Sequence, residues 1–235
     1  MFFPMFWDPT MVLLIPAMIL AFYAQVKVKS TYNKYSEILA ANGRTGREIA
    51  QTILRQNGIM DVEVEEGQGF LSDHYDPLGK RVRLSPQNFS EPSVSAVAVA
   101  AHEVGHAIQH AEGYVPLRFR TAIFPVANLG TNLSWIFIIA GLLFLPGLRF
   151  GGVSLLDVGI LLFSFAVLFQ LVTLPVEFDA SRRALVQLNR LGLVAPAEQA
   201  GAKKVLDAAA LTYVAAAASA VLQLVRLLLI RDRRG

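Results

Sequence analysis

Three stretches of the chain contain no Asp, Glu, Lys or Arg: residues 9–26, 121–148 and 158–176. A helix needs roughly 17–25 apolar residues to cross a hydrocarbon core of about 30 Å, so each stretch is long enough to span a bilayer. A fourth, 208–225, is Ala-rich, and Arg226 interrupts it before the apolar run 227–230. It either spans, lies at the interface or lines a site. Composition agrees with a bilayer setting: 54% of residues are hydrophobic and 17% charged, whereas soluble domains carry about a quarter charged residues. The expected fold is a mainly α membrane protein, with three to four transmembrane helices and a small α+β domain.

The first stretch lacks the basic leader and small-residue cleavage site of a signal peptide. Residues 1–7 carry no Lys or Arg, Asp8 is acidic, and Lys27, Lys29 and Lys34 follow the apolar run. That order predicts an uncleaved anchor with its N-terminus outside. The net charge of +3 does not imply nucleic acid, because the basic residues flank the apolar stretches as membrane anchors do. With no Cys in the chain, disulfides and thiolate metal ligands are excluded. Five segments follow: an anchor at 1–26, a folded domain at 27–120, a membrane hairpin at 121–176, a polar segment at 177–204, and an Ala-rich helix with a basic tail at 205–235.

Within the folded domain, Thr45-Gly46-Arg47-Glu48 fits a capping box. Ile49, Ile53 and Leu54 follow at helical spacing, and Gly58 is a stop signal. Residues 61–66 alternate polar and apolar, as a half-buried strand does. Residues 70–85 read as two short strands around the turn Asp76-Pro77-Leu78-Gly79. Pro92 then permits a helix over 93–112, ended by Gly113. Its apolar run, 94–101, is too short to cross a membrane and predicts a buried helix.

That helix carries His102-Glu103-Val104-Gly105-His106. Two His residues at i and i+4 lie one turn apart on one face and can bind one Zn²⁺. Glu103, about 100° round the helix, can hold a water that the metal activates and take its proton. Catalytic zinc usually takes three protein ligands and keeps one position open. His110, two turns beyond His102, is too far along to share the ion and is assigned to the helix surface or to support of a ligand. His74 contacts substrate or is solvated. The third ligand is then Asp157 or Glu177. The chain crosses at 121–145, turns at 146–152 and returns at 153–176. Glu177 re-emerges on the side of His102, whereas Asp157 lies about 30 Å away at 1.5 Å per residue. Glu177 is therefore expected as the third ligand.

The segments Ala101-His102-Glu103-Val104-Gly105-His106-Ala107-Ile108-Gln109-His110 and Leu174-Pro175-Val176-Glu177-Phe178-Asp179-Ala180-Ser181-Arg182-Arg183 resemble the YugP-type neutral zinc metallopeptidases of bacteria. So do Asp73-His74-Tyr75-Asp76-Pro77 and residues 209–216, and the resemblance covers nearly the whole chain. It implies a zincin-like catalytic domain and a gluzincin-like membrane peptidase. More distantly, the layout is similar to membrane proteases related to the prenyl-CAAX protease. Those place an Asp four residues after the glutamate ligand to orient a zinc-bound His. Here that position is Ser181, and Asp179 is two residues on, so Ser181, Asp179 or a backbone carbonyl is left to serve. By the same analogy, strand 81–85 is expected to be an edge strand that pairs with extended substrate.

The expected reaction is peptide-bond hydrolysis. Zn²⁺ polarises the carbonyl, Glu103 shuttles the proton, and Tyr213, His74 or Tyr75 stabilises the oxyanion; Tyr213 could equally be an interfacial anchor. The substrate is a peptide or membrane protein, the lipid bilayer is the other partner, and the oligomeric state is left open. Two rivals stand beside this reading. One is an intramembrane protease with Asp157 as ligand. The other is a membrane scaffold or chaperone with a structural metal, which would require a closed site of four protein ligands. Blocks 27–120 and 177–204 together hold sixteen of the 21 Lys and Arg, which by the positive-inside rule puts the active site on the cytoplasmic face. Arg231, Arg233 and Arg234 point the other way if 208–230 spans.

Overall fold

The computed structural model describes residues 9–69, 72–144 and 149–233. Expectations for residues 1–8, for the start of the first hairpin strand at 70–71, for part of the membrane turn at 145–148 and for the tail at 234–235 lie outside these residues. The chain divides into two compact units. One comprises residues 24–118 and 175–212. The other comprises residues 119–174 with the segments up to Tyr23 and from Tyr213 onward.

In the first unit, the Thr45 side chain accepts from the Glu48 N–H at 3.3 Å, and the Glu48 carboxylate accepts from the Thr45 N–H at 2.8 Å. This reciprocal cap satisfies donors that a helix start leaves bare, and it begins α2, Gly46–Gln56. Gly58 follows the helix at φ +71°, a conformation that costs glycine little. Ile49 and Ile53 are fully buried, and each such side chain contributes about 1.5–3 kcal/mol on leaving water.

Three strands follow: β1 Glu63–Glu66, β2 His74–Asp76 and β3 Arg81–Leu84. Their order is β1-β3-β2, with β1 parallel and β2 antiparallel to β3. This corrects the expectation for strand 81–85: it is central and is not an edge. Val82 and Leu84 are fully buried, so β3 has the side chains a central strand needs. β1, with Glu63, Glu65 and Glu66, has the charge that suits an edge.

A short helix that the sequence pattern did not signal, α3 Pro86–Ser90, starts on a Pro at its first position, where the missing N–H costs nothing. α4 runs Val94–Ala111. The Ser93 hydroxyl caps it by accepting from the Ala96 N–H at 3.2 Å. Gly113, at φ +66°, follows its end. Val97, Ala98, Ala100 and Val104 on this helix are fully buried, and α2 packs against it.

The chain has four helical segments long and apolar enough to cross a membrane among the described residues: Pro9–Ser36, Val115–Leu143, Leu155–Arg190 and Pro196–Asp232. They contain α1 Ile15–Ser36, α5 Val115–Ile139 with a π-helical turn at Ala140–Phe144, α6 Leu155–Arg190 and α7 Pro196–Asp232. A two-residue hairpin, β4 Arg149–Phe150 and β5 Val153–Ser154, precedes α6. Met18, Phe22 and Leu161 are exposed, as lipid-facing side chains are. α5 and α6 approach closely: a Cβ at Gly159 would lie 2.9 Å from the Ile138 backbone, the small-residue contact that membrane helices use.

Two features of this second unit bear on its last helix. α7 continues through Arg226 without a break, because Arg is a good helix former even where it interrupts hydropathy. Near its end, Arg231 pairs with Asp157 at 2.5 Å. Asp157 lies in the first turn of α6, so α7 returns to the end of the unit where α6 starts. Residues 177–204 form the last part of α6, the turn 191–195 and the first part of α7.

Candidate metal centre

α4 carries His102 and His106 one turn apart, and α6 carries Glu177. The Nε2 atoms of His102 and His106 lie 3.2 and 3.5 Å from Glu177 Oε2. One ligand atom from each of the three residues falls within a 4.8 Å group. Donors about 2.0–2.1 Å from a tetrahedral zinc stand about 3.3 Å from one another, so the two spacings to Glu177 fit that ion. The donor chemistry fits as well: two imidazoles and a carboxylate are common zinc ligands.

Each imidazole is held from behind. His102 Nδ1 is 3.1 Å from Ser181 Oγ, and His106 Nδ1 is 3.0 Å from Gln109 Oε1. Ser181, one of the candidates left open, thus meets His102. Asp179 does not meet a histidine directly. It accepts from Gln109 Nε2 at 2.9 Å, and Gln109 also donates to the Val176 carbonyl at 2.8 Å. Asp179 in turn pairs with Arg182 and, at 2.5 Å, with Arg183. Arg183 reaches Glu112 at 2.5 Å and lies over the Tyr114 ring.

The crossing of α4 and α6 depends on Gly105. A Cβ there would sit 2.5 Å from the Ala180 carbonyl oxygen, a contact that only a backbone shift could relieve. The glycine within His102–His106 therefore lets the helix bearing Glu177 approach.

Glu103 is buried. Burial pushes its carboxyl up to about 7; His102 opposes that shift, Glu177 and Asp73 add to it, and the backbone N–H of Tyr75 donates a hydrogen bond that opposes it. The Tyr75 hydroxyl meets His110 Nδ1 at 2.7 Å, and burial raises that phenol to about 12. His110 thus braces Tyr75, which touches Glu103 through its backbone. His74 is exposed, its Nδ1 2.8 Å from the Ser72 carbonyl. Tyr213 is half-buried on α7 and belongs to the other unit. Asp157 belongs to the other unit and caps the start of α6 through Ser154.

Gln109 is the site residue that sequence reasoning missed. One signal was present: a polar residue three positions after His106, where side chains of one helix face meet.

A curated relative, "Putative membrane protease YugP" of Bacillus subtilis (strain 168), is 50% identical over 218 residues, which cover 93% of this chain and 94% of that protein. No solved structure matches the chain. A family model described as "Putative neutral zinc metallopeptidase" matches residues 10–232. Zinc is the metal that this description names, and the His102, His106 and Glu177 group can hold a metal ion. With a model matching nearly end to end and a relative at half identity, the chain belongs to this zinc metallopeptidase family.

Proposed function

We propose that the protein is a membrane-bound, zinc-dependent endopeptidase that hydrolyses peptide bonds by attack of water. The observation that carries this reading is the His-His-Glu donor set with a buried carboxyl, Glu103, beside it. His102, His106 and Glu177 would hold the zinc, which would supply Lewis acidity and activate water at neutral pH. Glu103 takes a proton from the attacking water and returns it to the leaving amine, a task suited to a group whose pKa lies near the working pH. Helix α4, the small sheet and a glutamate from a later helix support the reading of a zincin-like domain with a gluzincin-like ligand set.

β2 is an edge strand packed against α4, and its Tyr75 N–H points at Glu103. An extended peptide lying along β2 would therefore reach the base, so β2 replaces β3 as the proposed substrate edge. Of the oxyanion candidates, Tyr75 already spends its hydroxyl on His110. His74, exposed on β2, is the better placed of the two.

The purified protein in detergent is expected to contain about one zinc per chain and to cleave unstructured peptide. A strong chelator should remove both metal and activity, and added zinc should restore both. Hydrolysis that persists after the metal is gone would defeat the reading.

The basic residues that flank the spans support an active site on the cytoplasmic face. Single cysteines at Gln68 and Arg149, both exposed, test this in intact cells with an impermeant thiol reagent. Labelling at Arg149 with protection at Gln68 is expected, and the opposite pattern inverts the topology. Arg231 then lies outside, against the positive-inside bias, with its charge paired to Asp157.

A further inference from the structure

The carboxamide of Gln109 has a donor end and an acceptor end, and its surroundings decide which faces His106. Gln109 is fully buried. Its Nε2 donates to the Val176 carbonyl at 2.8 Å and to Asp179 Oδ2 at 2.9 Å. A carbonyl can only accept, and so can the Asp179 carboxylate paired with Arg182 and Arg183. Both N–H bonds of the amide are thus engaged. Turning the amide over would set its oxygen against two acceptors, with no donor to meet it in a buried place. What remains is Oε1, 3.0 Å from His106 Nδ1, and an amide oxygen accepts only. His106 must therefore present a proton at Nδ1, which leaves the Nε2 lone pair on the side of Glu177.

His102 is treated differently. Its Nδ1 faces the Ser181 hydroxyl at 3.1 Å, and a hydroxyl can donate or accept, so Ser181 does not choose a tautomer.

We propose that Gln109 is a positioning residue that locks the Nδ1 proton on His106, with the Val176 carbonyl and Asp179 fixing the amide, while His102 remains adjustable. The inference rests on the reading of His106 as a metal ligand. The same amide also ties the two ligand-bearing helices, because Val176 immediately precedes Glu177. The lock extends outward through Asp179 and Arg183 to Glu112.

The chain has four His, so the test can be made on the whole metal-free protein in detergent, labelled with ¹⁵N in the imidazole rings. Single His→Gln variants assign the signals. Between pH 7 and 9, His106 is expected to keep a proton on Nδ1. A neutral His106 ring with a bare Nδ1 and a proton on Nε2 would overturn the proposal, and this needs no variant at Gln109. In Gln109→Met, which keeps the bulk and removes the acceptor, the bare-Nδ1 form is expected to appear. The zinc dissociation constant, measured by chelator competition, should rise by about 10–100-fold. Asp179→Asn, which leaves the Val176 carbonyl in place, should raise it less. Unchanged His106 signals together with unchanged zinc affinity in Gln109→Met would also overturn the lock. Zinc content of the unaltered protein is measured separately. Absence of zinc with the Nδ1 proton retained would count against the metallopeptidase reading and leave the lock standing.

Discussion

Replacing Glu103 by Gln is expected to leave zinc bound and to lower peptide hydrolysis by about 10²–10⁴-fold, the usual contribution of a positioned acid–base group. The substitution keeps the size of the side chain, and its carbonyl oxygen can still accept from the Tyr75 N–H. His102, His106 and Glu177 are untouched, so the donor set within its 4.8 Å group persists. What disappears is the group that can take a proton from water. Zinc content and single-turnover hydrolysis, measured on the same preparation, separate the two roles. A variant that keeps its metal and hydrolyses at the original rate would remove Glu103 from the mechanism.

The second large effect concerns the third donor. Glu177→Ala is expected to weaken zinc binding by more than about 100-fold, since loss of groups that merely support a ligand already costs 10–100-fold. Both histidine Nε2 atoms lie within 3.5 Å of this one carboxylate, and no other acid joins the group among the described residues. Asp157→Ala should leave zinc affinity unchanged, because Asp157 is engaged with Ser154 and Arg231 at the start of α6. Competition against a chelator of known affinity distinguishes the two variants. If Asp157→Ala lost the metal and Glu177→Ala kept it, the intramembrane reading would stand in place of ours.

Much of this was legible because the signals were local. Thr45 and Glu48 meet across three residues. Ser93 and Gly113 mark the two ends of α4 with chemistry that acts within one turn. Glu177 could be matched to His102 and His106 by counting membrane crossings, since an apolar run long enough to span must bring the chain back. Other features depended on partners far away in sequence. β3 is central because β1 pairs with it in parallel from the far side, and strand order is not written in any one strand. Gln109 looked like one polar residue in an apolar helix; its role appears only when Val176 and Asp179 arrive, 67 and 70 residues later. Arg226 argued against a full-length last helix on hydropathy, and the backbone ran on regardless.

The separation between His102 and Glu177, 75 residues, also orders events in time. At about 5–20 residues per second, a ribosome needs roughly 4–14 s to pass from His106 to Glu177. During that interval the nascent chain offers His102 and His106 without the Glu177 carboxylate. Two donors without the third, and without Ser181 or the Asp179 support for Gln109, make a poor home for zinc. With the proposed ligand set, competence to bind the metal comes only after residues 121–176 have been made.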